Sequence, residues 1–155
     1  MKTIKIGEEK FKVISNIGEI KYSRMNMFNQ YIAAVFQGMD IPLFMVTMDK
    51  VKAYYNNGEY MQAYNELVNF DTAIKMNEHQ LDPLGMCFTL ITVEEGEDLN
   101  STNETTLKEK LKRMISLGLD YDMVKDEVLN FMNRYPDKFS PYLQVWEMMK
   151  TGIVL

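Results

Sequence analysis

Residues 40–70 read DIPLFMVTMDKVKAYYNNGEYMQAYNELVNF, and their spacing decides the fold class. Asp40 suits a helix N-cap, and Pro42 suits the first turn, where a missing N–H is no loss. Leu43, Phe44, Val46, Met48, Val51 and Tyr54 or Tyr55 then recur as the buried side of a helix. Asn56-Asn57-Gly58 stops it. A further helix is predicted from about Glu59 to Met76, with Tyr60, Ala63, Tyr64, Leu67, Phe70 and Ile74 on its apolar face. Short connections of this kind favour helices packed as antiparallel neighbours.

The same logic extends in both directions. Upstream, Ser23 is the expected cap of a helix whose apolar positions are Met25, Phe28, Tyr31, Ile32, Val35 and Phe36, ended by Gly38. Before it the chain alternates. Ile4 and Ile6, a turn at Gly7-Glu8-Glu9, then Phe11 and Val13 read as a short β-hairpin. A lone hairpin is marginal in water, so it must dock on helices or pair with another chain. Lys2, Lys5, Lys10 and Lys12 would blunt its edge. Downstream, Asp82-Pro83 opens the apolar run from Leu84 to Val93. Its length fits a buried helix or a buried strand, and the Asp-Pro start favours helix.

Residues 94–105 are polar and acidic, as expected of a mobile loop or a boundary between lobes. Thr106 and Glu109 have capping-box spacing for a helix with Leu107, Leu111, Met114 and Ile115 on one face, ended by Gly118. A helix from about Tyr121 to Arg134 buries Val124, Val128, Leu129 and Met132. Ser140-Pro141 is the expected start of a last helix carrying Leu143, Val145, Trp146 and Met149. The fold expected is therefore mainly α: a bundle of six to seven helices with a short N-terminal β-hairpin. It is one domain over 1–155, or two lobes, 1–93 and 106–155, joined by the acidic loop.

Composition narrows the function. The chain has one histidine, His79, and one cysteine, Cys87. A metal centre draws on several His, Cys or clustered carboxylates, and a nucleophile needs a base beside it. Neither can be assembled, so no enzyme activity, cofactor or metal is expected. The acids from Glu94 to Asp98 lack the spacing of a calcium loop. Asp120, Asp122, Asp126 and Glu127 read as the charged start of a helix. Cys87 reads as a small buried hydrophobe, His79 as a solvated helix end, and Lys108, Lys110, Lys112 and Arg113 as a solvated face. A single cysteine allows no internal disulfide, which suits a reducing compartment. No secretory leader and no bilayer-length apolar run are read, so a cytoplasmic or virion-associated protein is expected. The sequons at Asn100 and Asn103 are then chance matches.

Charge is uneven around a net of −5: residues 1–24 carry six Lys/Arg against three Glu, and residues 71–104 carry one Lys against eight acids. Overall acidity argues against nucleic-acid binding. The asymmetry can steer a protein partner or let copies meet head to tail. Fourteen methionines suit core filling or an adaptable docking face.

Two resemblances bear on function. Ala53 to Tyr64, with Ala53, Tyr55, Gly58, Tyr60 and Ala63, resembles the middle of a tetratricopeptide repeat, without a second copy at the ~34-residue period. It implies a similar helix–turn–helix and, as one reading, a peptide-binding adaptor centred on Tyr54 to Tyr64. The whole chain is similar to small structural or assembly proteins of tailed bacteriophages, such as tail assembly chaperones and head–tail or baseplate components. That likeness lies in a Lys-rich hairpin, Lys2 to Ile14, an amphipathic helix, Arg24 to Gln37, and a helical body rich in Lys, Met and Asn. It implies a non-enzymatic protein–protein interaction or structural component, in a homo-oligomer or a multi-protein assembly, with no nucleic acid and no membrane as partner. The hairpin edge would extend a partner's sheet, and exposed Met and aromatic faces would dock a helix. The residues expected at such surfaces are Ile4, Ile6, Phe11, Val13, Tyr22, Phe28, Tyr31, Tyr54, Tyr55, Trp146 and Met149.

Overall fold

In the computed structural model, residues 1–36, 41–75 and 81–151 are described. Among them are seven α-helices and a three-stranded antiparallel sheet, so the protein is mainly α. The chain divides into two compact units: Met1–Val35 with Gln80–Tyr135, and Phe36–His79 with Pro136–Leu155. The acidic stretch 94–105, read as a boundary between lobes, lies wholly inside the first unit. Asp40, Gly38 and His79, and the side chains of Leu43, Phe44, Phe70, Ile74 and Met149, lie outside the described residues.

The first unit opens with the hairpin, β1 (Lys2–Ile6) and β2 (Glu9–Val13), paired Ile6↔Glu9 through Lys2↔Val13. Its turn is Gly7-Glu8, one residue shorter than read, because Gly7 takes a positive φ of 59° that lets two residues close the strands. Alternation sends Ile4, Ile6, Phe11 and Val13 into the core. After a 3₁₀ turn at Ile17–Glu19 comes α1 (Tyr22–Val35), which buries Met25, Phe28 and Ile32. Ser23 lies inside its first turn rather than at the cap.

The apolar run resolves into both of its readings. α4 (Leu81–Ile91) is followed at once by β3 (Thr92–Val93), which pairs with β2. Asp82, expected as a cap, is helical. From Leu84 to Ile91 every residue of α4 is buried, the mark of a helix enclosed on all sides. It packs against α1, α5 (Glu104–Ser116) and α6 (Tyr121–Asn133). The α5 capping box sits one turn earlier than the expected Thr106–Glu109 pair. Asn103 Oδ1 accepts from Thr106 N at 2.9 Å, while Thr106 Oγ1 accepts from Asn103 N at 3.4 Å. Asp120 caps α6 by accepting from Asp122 N at 3.1 Å.

The second unit contains α2 (Ile41–Asn56), α3 (Tyr60–Lys75) and α7 (Pro136–Thr151). α2 packs on α3 and touches α7. Met48, Val51, Ala63, Phe139, Leu143, Val145 and Trp146 are buried, and Phe36 stacks on Tyr142 with ring centroids 5.0 Å apart. α7 starts at Pro136, four residues before the expected Ser140-Pro141, and carries Pro141 internally. Pro136 is preset for the first helical position and Asp137 faces the positive end of the dipole.

Candidate interaction surface

The expected docking set separates by burial. Ile4, Ile6, Phe11, Val13 and Phe28 are core residues of the first unit, and Trp146 is a core residue of the second. They are core rather than surface residues: alternation turns Ile4, Ile6, Phe11 and Val13 to the inner side of the hairpin, and Phe28 and Trp146 lie on the buried sides of α1 and α7. Tyr31 and Tyr54 are half-buried. Tyr22 is 82 % exposed in the first unit and Tyr55 41 % exposed in the second.

Among the described residues of the second unit, the most exposed large apolar side chains are ones assigned in part to the inner face. Tyr60, Met61 and Tyr64 are 62 %, 68 % and 62 % exposed. α3 carries two offset series at helical spacing, Tyr60–Tyr64 and Ala63–Leu67. Only the second faces inward: Ala63 is fully buried and Leu67 half-buried. Small Ala63 allows the helices to approach closely, while Tyr64, one position on, is turned away by about 100°, and Tyr60 lies one turn before Tyr64 on the same outer side. Tyr55, at the end of α2, meets Tyr60 edge-on with ring centroids 5.2 Å apart. The result is an aromatic and methionine face beside the α2–α3 turn. Rigid amphipathic rings and adaptable thioethers suit protein contacts.

The first unit holds a buried charge cluster at the C-terminal end of α4. The last four carbonyls of a helix lack intrahelical donors. In α4 all four are supplied. Phe88 O accepts from Thr92 Oγ1 at 2.9 Å, and Ile91 O from Ile14 N at 2.7 Å. Leu90 O accepts from Arg24 Nη2 at 2.7 Å and Nε at 3.1 Å, and Thr89 O from Lys110 Nζ at 2.9 Å. Arg24 Nη2 and Lys110 Nζ also donate to Thr92 O. Both cations are buried, at 1 % and 2 % exposure. Glu97 reaches back from the acidic stretch as their shared counterion, 3.3 Å from Arg24 Nη1 and 3.0 Å from Lys110 Nζ. Residues 94–102 are thereby tied down rather than left as a free loop. Glu94 pairs with Arg113, and Asp98 accepts from Asn100 N and Ser101 Oγ.

Lys110, assigned to a solvated face, instead follows Leu107 and precedes Met114 on the buried side of α5, a spacing visible in the sequence. Burial pushes its pKa down from 10.5 to about 8, against the opposing pull of Glu97. Below pH 8 the native state holds the ammonium at its full burial cost. Between pH 8 and 10.5 the native state sheds a proton that the unfolded chain keeps. Stability therefore rises with pH through that window, by up to about 3 kcal/mol. The expected result is a Lys110 side-chain titration near pH 8 by NMR, and a gain in urea midpoint from pH 8 to 10 that Lys110→Met lacks. A Lys110 titration at the ordinary value would contradict the burial. Its ammonium donates to Thr89 O, Thr92 O and Glu97 and so serves as a cap at the end of α4.

Cys87 is fully buried, and burial raises its thiol well above the usual range, as its reading as a hydrophobe expects. Among the described residues, no three His, Cys, Asp or Glu side chains gather as a metal site would need, and no helix is long and apolar enough to cross a membrane. No protein-family model, curated protein or solved structure matches the chain.

Proposed function

We propose that this chain is a non-enzymatic protein–protein interaction or structural component, of a bacteriophage particle or its assembly line. It engages its partner through the outer face of α2 and α3. The observation that carries the reading is the exposure of Tyr60, Met61 and Tyr64 together on one side of α3, with Tyr55 against Tyr60. Isolated exposed apolar residues are ordinary, but adjacent large aromatics are the composition of interface centres. The phage assignment rests on the general likeness of the chain to small virion and assembly proteins.

A second reading is favoured by position. The aromatic face falls inside the tetratricopeptide-like segment, which suits a monomeric adaptor for a peptide. Native mass spectrometry of the full chain separates the two: an assembly component forms a firm multi-copy or mixed complex, and an adaptor stays monomeric with a peptide bound. In either case, Tyr60→Ser combined with Tyr64→Ser is expected to weaken association by about 2 kcal/mol or more, near thirtyfold. Its circular-dichroism melt should stay close to that of the parent, since both side chains are exposed. Unchanged association in this variant would remove the face from the account.

A further inference from the structure

The outer side of α3 carries a second apolar stripe besides the inner one. Tyr60, Tyr64 and Val68 follow one another at four-residue intervals, and Met61 stands beside them. At about 100° per residue the four fall within an arc of about 100°, the width of a face that a helix normally buries. All four are exposed. Tyr55 packs edge-on against Tyr60 and so holds that ring in place before any partner arrives. Among the described residues no other helix has such a stripe. α1, α5 and α6 each expose one large apolar side chain, Tyr22, Ile115 and Tyr121, and the two of α2, Val46 and Tyr55, lie on opposite sides of it.

The stripe itself describes what covers it. A row of side chains at four-residue intervals is the ridge by which one helix packs into the groove of another, so the occupant is a helix. The stripe is also uncharged: from Tyr60 to Val68 the single charged residue is Glu66, which lies on nearly the opposite side of α3. Ion pairing therefore selects neither an acidic nor a basic partner, and two copies of the stripe meet without opposing like charges. Tyr60 stands one turn before Tyr64 and Val68 one turn after it, so a two-fold axis at Tyr64 sets a large side chain against a smaller one on each side. Tyr55, Tyr60, Met61, Tyr64 and Val68 together expose on the order of 500 Å². That is the greater part of the roughly 800 Å² that each partner contributes to a stable pair, before any polar rim is added.

We infer that α3 pairs with α3 of a second copy of this chain, antiparallel, about a two-fold axis at Tyr64. Tyr64 of each copy lies against Tyr64 of the other, and Tyr60 of each against Val68 of the other. Such a contact uses the same patch on both copies and closes at two. The inference rests on the reading of this face as the interaction surface, and it names the partner.

Sedimentation velocity of the full chain over a dilution series tests this. The expected result is a monomer–dimer equilibrium with a Kd on the order of micromolar. Tyr60→Glu and Val68→Lys, each alone, set a charge against an apolar neighbour and should weaken the dimer more than about tenfold. An equimolar mixture of the two variants should recover a heterodimer, because one side of the contact then pairs a carboxylate with an ammonium and the other keeps tyrosine against valine. That recovery also shows that both variants are folded. A chain that stays monomeric at about 0.1 mM, a dimer that both single variants retain, or a mixture that stays monomeric would each overturn the inference. If the parent is monomeric while Tyr60→Ser/Tyr64→Ser still loses a partner from lysate, the second copy is lost as occupant and the face remains; if that variant keeps every partner, the face falls with it.

Discussion

Replacing Glu97 with glutamine lowers the stability of the first unit by about 3–5 kcal/mol, the cost of leaving buried charge without its counterion. Glu97 is the carboxylate shared by Arg24 and Lys110, and both cations are nearly inaccessible to water. Without it, two cations face each other in the core. Lys110 relieves this by losing its proton at still lower pH, so its titration should move below 8 in the variant. Apolar replacement of a buried ion pair is often harmless. Here it is not, because Arg24 and Lys110 also supply the donors for Thr89 O, Leu90 O and Thr92 O. Arg24→Met is therefore destabilising even when Glu97 is removed with it. Urea unfolding of the two single variants and the double variant gives the coupling directly. A loss below about 1 kcal/mol in Glu97→Gln would place the carboxylate in solvent, contrary to the account.

Gly7→Ala is the second large effect. The left-handed conformation alone costs an L side chain roughly 1–2 kcal/mol. The added Cβ would also lie 2.6 Å from Leu117 O, a backbone atom in the turn that ends α5. A flexible side chain can move aside, but a helix-terminal carbonyl moves only with its turn. The hairpin therefore shifts off α5, and the melting temperature falls well beyond the effect of Gly58→Ala. Gly58 has a similar φ of 75° with nothing within 4 Å of the added Cβ. The difference between the two glycine variants isolates the steric term. Equal losses would mean that the hairpin is not seated against Leu117.

The elements were largely legible because most are patterned locally. The hairpin alternates over its whole length, and α6 buries Val124, Val128, Leu129 and Met132 as its spacing says. Five features escaped for physical reasons. Helix starts were misplaced where two residues competed for one role, as at Asn103 against Thr106, or Pro136 against Pro141. α3 carries two apolar series, and packing on α2, not periodicity, decides that Ala63 points in and Tyr60 out. Arg24 and Lys110 were missed because charge argues for solvent. Their helical register with Phe28 and with Leu107 and Met114 argues for the core, and the orphan carbonyls of α4 decide it. The unit boundaries depend on contacts distant in sequence, which no composition shift marks. The acidic stretch looked like a linker because its ion-pair partners lie at residues 24, 110 and 113.

The function rests on the outer face of α3, and native mass spectrometry of the tagged full chain recovered from source lysate at moderate salt tests it most directly. The predicted result is a stoichiometric complex, of several copies or with a defined protein partner, that Tyr60→Ser/Tyr64→Ser abolishes while its melt stays near that of the parent. A bare monomer, or a complex that the variant retains in full, would contradict the account.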